Sequence, residues 1–193
     1  MNRFVVLTFA FVFLLLFGCA SKHPKVLLKT SLGDIIVEIY VDKAPLTAAN
    51  FLKYVDENRF KEALFYRVVT PDNQPDNDIR IEVIQGGLFE DNHPDALPFI
   101  KHETTKQTGL KHLDGTISMA RNEPGTASSE FFICVGNQPE LDYGGKRNPD
   151  GQGFAAFGRV VEGMDVVRKI QILPSDEQML VDKVIIEQVK RVE

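Results

Sequence analysis

An arginine set in an apolar run is the first residue of this chain that calls for a chemical explanation. Arg67 stands between Phe65 and Tyr66 on one side and Val68 and Val69 on the other. Burying a guanidinium is costly unless acceptors or a ligand satisfy its donors. Arg67 therefore either turns to solvent or belongs to a site, and the run alone does not decide between them. A second feature is the sequence Ile-Gln-Gly-Gly at 84–87, an amide side chain at a strand end ahead of two glycines that permit close backbone approach. A third is the pair of segments 115–121, which closes on Ser118, Met119, Ala120 and Arg121, and 126–133, which carries Glu130, Phe131 and Phe132. The fourth is Phe-Ala-Ala-Phe-Gly-Arg-Val at 154–160.

Several common chemistries have no support. There is no glycine-rich phosphate loop of either standard form. His23, His93, His102 and His112 lie far apart, lack metal-ligand spacing with Cys134, and read as surface or loop residues, so no metal or cofactor is expected. Ser128 and Ser129 have no nucleophile-elbow context. The chain carries 22 basic and 27 acidic residues, a net charge of -5, and no basic cluster beyond its start, which argues against nucleic acid as a partner. Two cysteines among 193 residues are too few for a disulfide framework.

The elements that must position these residues are mostly strands. Residues 25–30 and 34–40 are rich in branched side chains and flank Gly33, which predicts a hairpin with Ile35, Val37 and Ile39 on one face. Ala48, Phe51, Leu52 and Val55 then follow a helical stripe, with Pro45 suited to the first turn and Asn58 to the stop. Strands are predicted at 64–69, 81–84, 116–119, 131–135 and 154–161, and a second helix is marked by Met164, Val167 and Ile170. Residues 70–78 and 142–153, rich in Pro, Asn, Asp and Gly, read as exposed loops. The tail from Leu180 to Val192 fits helical spacing through Val181, Val184 and Ile185, and strand spacing through Val184 and Ile186. Many short strands with two helices imply a mainly antiparallel sheet or barrel with helical plugs.

The chain's first 18 residues read as a signal segment apart from this domain. Arg3 precedes a run from Phe4 to Phe17 that is apolar except for Thr8, too short for the roughly 18–20 residues that span a bilayer. The sequence Leu16, Phe17, Gly18, Cys19, Ala20 resembles a bacterial lipoprotein signal, although Phe17 is bulkier than that pattern favours. The resemblance implies cleavage before Cys19, lipid modification of Cys19, a tether at 19–24 and a domain at 25–193. Ala20, rather than Asp, favours the outer membrane if the cell has two membranes.

Taken together and in order, the four features of the domain resemble the cyclophilin family of peptidyl-prolyl cis-trans isomerases. The resemblance covers nearly all of 25–192 and includes Ala44-Pro45, Asn50-Phe51, the strand 65–69, Gln85-Gly86-Gly87, Ser118-Met119-Ala120, 130–133 and Phe157-Gly158. It implies a mainly β fold, a closed eight-stranded antiparallel barrel capped by two α-helices, and it makes the tail a strand. Arg67 matches the family's catalytic arginine and Gln85 the glutamine that orients it. The walls of a proline slot fall on Val83, Phe132, Leu141 and Phe154. Ala120 and Arg121 match the stretch that pairs with the substrate backbone, and Glu130 stands where many members have Gln. Without the resemblance, Phe132 and Leu141 would read as ordinary core. The implied partners are proline-containing peptides and partly folded envelope proteins, met by a membrane-anchored monomer. Glu82 stands where an aromatic wall is usual, though an inserted loop residue before it could supply that wall. Glu140 stands where cyclosporin-sensitive members carry Trp. The same Glu82 is the feature behind an alternative, a fold that holds proline segments or docks partners with little turnover.

Overall fold

The computed structural model describes residues 23–90 and 92–193, so the signal segment and Cys19 lie outside the described residues. Strands β1 (Lys25–Thr30) and β2 (Gly33–Ile39) form the predicted hairpin, in register from Lys25 opposite Glu38 to Thr30 opposite Gly33. Thr30 closes the turn, donating its hydroxyl to the Gly33 carbonyl at 2.7 Å and accepting the Leu32 amide at 3.1 Å. The alternation read from the sequence holds: Ile35, Val37 and Ile39 are buried. Helix α1 (Pro45–Asp56) follows with proline in its first turn, and Asn58, just beyond its end, takes a left-handed φ of 52°. It lays Phe51 against Phe60, Phe131 and Phe157, with ring centroids 5.0–5.7 Å apart.

The remaining strands are β3 (Leu64–Val69), β4 (Val83–Gly87), β5 (Thr116–Met119), β6 (Phe131–Cys134), β7 (Ala155–Glu162), β8 (Ser175–Asp176) and β9 (Met179–Val192). The order β1-β2-β7-β5-β6-β4-β3-β9 closes through pairing of β9 with β1, giving an eight-stranded antiparallel barrel, with β8 as a short extra hairpin partner of β9. Helix α3 (Met164–Gln171) buries Val166, Val167 and Ile170 and packs against β2, β3 and β4. The tail is a strand, and a bulge explains its double periodicity. Phe65 pairs with Val184 but Arg67 with Met179, which leaves Val181 swung outward and 63% exposed.

The two expected helices, α1 and α3, are joined by one further short helix, α2 (Thr105–Thr108), in the long connection between β4 and β5, marked in the sequence by its capping box of Thr104 with Gln107. Three expectations need correction. The strand expected at 81–84 runs from Val83 to Gly87, so Gln85 sits within the ladder, opposite Arg67, rather than at its end. The loop 70–78 is not wholly exposed: Gln74 is buried and its amide joins the Thr70 and Ile81 carbonyls and the Ile81 amide. His112, read as a surface or loop residue, does lie outside the strands and helices but is buried between Asp142 and Ser118.

Candidate active site

The sheet register lays the outward-facing side chains in rows. Arg67 on β3 lies opposite Gln85 on β4, Gln85 opposite Phe132 on β6, and Phe132 opposite Ser118 on β5. The next row is Val69, Val83 and Cys134. Beside these rows a second apolar cluster, distinct from the barrel interior, joins Val69, Ile81, Val83, Phe132, Cys134 and Leu141, with Ala120 and Phe154 packed against it. Most of these residues, with Arg67 and Gln85, line one groove of about 1090 Å³ on the outer wall of the barrel.

The position assigned to an aromatic wall is resolved by the way side chains alternate along the segment that leads into β4. Glu82 turns away from the groove toward Gln171 on α3, at 3.5 Å, while Ile81 and Val83 share the groove face. Ile81 thus lines the groove where Glu82 does not, and the insertion ahead of it obscures this in the sequence. Glu140 likewise serves the loop beside it, its carboxylate accepting the Lys146 amide at 2.8 Å. That loop is zipped to the other: Arg147 donates to Gln74 Oε1 at 2.9 Å and to the Ile79 carbonyl at 2.6 Å.

A β-bulge between Phe65 and Arg67 lets consecutive residues Tyr66 and Arg67 both reach the groove. Arg67 donates Nη1–H to Gln85 Oε1 at 2.7 Å, and its Nε–H and Nη2–H converge on Gln178 Oε1 at 3.0 and 2.5 Å. Gln178 is held in turn by its donation to the Asn73 carbonyl at 3.1 Å. Among the described residues no carboxylate lies within ion-pair distance of Arg67. Burial pulls its pKa down, but a guanidinium remains charged throughout the physiological range. Gln178, separated from Arg67 by 111 positions, belongs to no local pattern and was not foreseen.

On the other side of Gln85, its Nε2–H donates to the Tyr66 hydroxyl at 2.7 Å, and that hydroxyl donates to Glu130 Oε2 at 2.5 Å. Glu130 Oε1 accepts the amides of Leu88 and Phe89 and the Ser129 hydroxyl. Burial first, then the adjacent Glu130 charge, push the Tyr66 phenol far above its ordinary value, so it stays protonated.

The other expected residues fall at the same groove with distinct contacts. Ala120 donates its amide to the Glu130 carbonyl at 2.8 Å. The Arg121 side chain is only 1% exposed: it grips Asp150 through two bonds of 2.8 and 3.0 Å, donates to the Gly153 carbonyl, and lies over the Phe154 ring. Its hydrogen bonds hold the Asp150 carboxyl below the usual range. Phe154 meets Phe132 edge-on at 5.2 Å, and His112 stacks on Phe132 at 5.9 Å. Burial lowers the His112 pKa, whereas for Asp142 the hydrogen bonds from His112 outweigh burial and lower the carboxyl. A neutral His112 thus donates Nδ1–H to Asp142 and accepts at Nε2 from Ser118.

A closed eight-stranded antiparallel barrel with two capping helices, carrying a guanidinium beside an apolar slot on its outer wall, defines a structural class. Comparison with known proteins gives that class its name. Residues 25–191 match the family described as cyclophilin type peptidyl-prolyl cis-trans isomerase/CLD. A peptidyl-prolyl cis-trans isomerase of Acinetobacter baylyi is 36% identical over 163 residues, covering 84% of this chain and 79% of its own. Peptidyl-prolyl cis-trans isomerase B of Escherichia coli is 37% identical over 150 residues, covering 74% and 80%. In fold, a crystal structure of a cyclophilin type isomerase from Cryptosporidium parvum superposes with a TM-score of 0.69 at 22% identity, over 89% of this chain and 98% of that one. The chain belongs to the cyclophilin-type peptidyl-prolyl cis-trans isomerases, and the reaction of that family is rotation about the Xaa-Pro bond.

Proposed function

We propose that Arg67 is the catalytic group of this isomerase and that it acts on proline-containing segments of proteins folding in a bacterial envelope. The observation that carries the catalytic reading is a buried guanidinium bound to two neutral amides and facing an apolar slot. Resonance gives the peptide bond a rotational barrier of about 18–20 kcal/mol. At the top of that barrier the amide is twisted and the prolyl nitrogen regains its lone pair, so a positioned donor binds the transition state more tightly than the planar ground state. Of the five N–H donors of Arg67, three are engaged with Gln85 and Gln178, which leaves one on each terminal nitrogen for a bound peptide. Ile81, Val83, Phe132, Leu141 and Phe154 would hold the proline ring, while Ala120 and Arg121 offer backbone to the rest of the peptide. No bond to the protein forms or breaks. The slot fixes the ring, and the guanidinium follows the nitrogen as the acyl side turns.

Exchange NMR on a short Xaa-Pro peptide, with the domain from Ser21 beside Arg67→Ala, tests this. The variant is expected to lose about 10²–10³ in rate, the scale of one transition-state donor. A folded variant with undiminished rate overturns the role of Arg67. A wild-type domain that binds the peptide without accelerating it makes the protein a binding module.

The envelope reading rests on the signal-like segment 1–18 and on Cys19. A lipid anchor there would tether the domain at the start of β1, where His23 bonds Asp42 and packs on Tyr40. In the closed strand order β6 is four strands from β1 in either direction, so the groove opens on the wall opposite the tether. An anchored enzyme would therefore present its slot away from the bilayer. Mass spectrometry of the mature N-terminus and fractionation of Cys19→Ala test it: the variant should leave the membrane fraction, and an unlipidated wild-type chain would rule the anchor out.

A further inference from the structure

We propose that Tyr66 and Glu130 are positioning residues for the isomerisation, setting the side-chain amide of Gln85 in the one orientation that turns its oxygen to Arg67; the inference rests on the catalytic reading of Arg67. A glutamine amide is nearly symmetric in shape, and its two ends differ only in hydrogen bonding. If the Gln85 amide were reversed, it would set its NH2 group against the Arg67 Nη1, donor against donor. What excludes that arrangement lies two bonds away.

Glu130 receives four donors: the Leu88 and Phe89 amides and the Ser129 hydroxyl at Oε1, and the Tyr66 hydroxyl at Oε2. A carboxylate can only accept, so the phenolic proton is committed to it. The Tyr66 oxygen then has only lone pairs left, and Gln85 can meet it only with Nε2–H, as it does at 2.7 Å. That fixes Oε1 on Arg67 Nη1 at 2.7 Å. The chain of bonds runs in one direction, from guanidinium through amide and phenol to carboxylate, and such chains polarise one another. The fold makes room for its far end. A Cβ at Gly87 would lie 2.5–2.6 Å from the Glu130 carboxylate, so the second glycine of the Gly86-Gly87 pair is what lets that acid reach the end of β4.

Glu130→Gln is the sharp perturbation because it keeps the shape and reverses the end of the chain. The Leu88 and Phe89 amides hold the new side chain's oxygen at the Oε1 position. Its NH2 group must then donate to the Tyr66 oxygen, which frees the phenolic proton to donate to Gln85. The amide of Gln85 is thereby released to turn over and withdraw its acceptor from Arg67.

The test measures peptide isomerisation and peptide affinity for Glu130→Gln and Tyr66→Phe, each alone and each combined with Gln85→Ala, beside Arg67→Ala. Positioning predicts that each single variant loses roughly 5–10-fold in rate, equivalent to about 1–1.4 kcal/mol, with affinity for the Xaa-Pro peptide unchanged. It also predicts no further loss from either variant once Gln85 is already Ala, since the residues act through that amide. In the NMR spectrum of wild type the Gln85 NH2 protons should show cross-peaks to the Tyr66 ring, and these should weaken in Glu130→Gln. Equal losses with and without Gln85, or unaltered rates and an unmoved Gln85 amide, overturn the proposal while leaving Arg67 in place. Should a variant fail to fold, the wild-type cross-peaks decide alone: Gln85 NH2 facing Arg67 instead of Tyr66 refutes it. An undiminished rate in Arg67→Ala would instead remove the catalytic reading on which it stands.

Discussion

Acidification should loosen this protein through one buried imidazole. His112 is fully enclosed between Asp142 and Ser118, and burial lowers its pKa from the ordinary 6.5. In the unfolded chain it takes up a proton as pH falls through 6.5, while in the folded protein it stays neutral to lower pH. The unfolded state therefore binds more protons in that window, and stability falls with falling pH at a slope that approaches about 1.4 kcal/mol per pH unit for one proton. His102, also lowered by burial, adds a slope of the same sign. The Asp142 carboxyl, lowered overall, acts in a separate and more acidic window, where stability is lost as pH falls below the unfolded carboxylate value and through the folded one. Urea unfolding at several pH values between about 7.5 and about 5.5, for wild type and His112→Gln, isolates the imidazole. The variant should start lower by about 1–3 kcal/mol, the cost of a damaged buried hydrogen-bond network, and should then show a shallower dependence on pH. Parallel curves for the two proteins would refute the assignment of a neutral buried His112.

Other consequences are quicker to check. Ile81→Ala removes a wall of the slot and should raise KM for an Xaa-Pro peptide by about 3–10-fold, an apolar loss of about 1 kcal/mol; Glu82→Tyr, on the opposite face, should leave KM as it was, and a gain in affinity there would refute the alternation argument. Gly87→Ala combines a φ of 149° with a contact of 2.5 Å to the Glu130 carboxylate and should cost more than about 1 kcal/mol of stability in a denaturant titration. Cyclosporin should bind weakly, because Glu140 replaces the expected indole and is engaged with its own loop; sub-micromolar affinity by calorimetry would contradict this. Arg147→Ala unlinks the two long loops at Gln74 and should reduce order in both by NMR while sparing the barrel.

What could be read from the sequence was whatever repeats locally. Ile35, Val37 and Ile39 show their face by alternation, and Ala48, Phe51, Leu52 and Val55 show theirs by helical spacing, so the hairpin and α1 emerge with nearly correct bounds. Arg67, Gln85 and Phe132 could be listed together by resemblance, but that they form one transverse row is a property of register between three strands. The misses are non-local in the same sense. Gln178 reaches Arg67 only because β9 crosses beside β3, and a lone histidine carries no periodicity to say that His112 is buried. The tail was ambiguous because a bulge breaks the period that would have identified it.

The seam of the barrel has a consequence for how the chain comes to work. Strand β9 fills the gap between β1 and β3, binding the first described strand and the one that bears Arg67. Until it arrives, both neighbours present open edges, and open edges pair readily with other chains. The contacts that seal the structure join Val26 to Arg191 and Leu64 to Ile185, separations that make closure late and dependent on the whole chain. Gln178, the residue just ahead of β9, comes into place with it. Docking of β9 thus completes the shell and the setting of Arg67 in one event, and a chain interrupted before Gln178 would lack both.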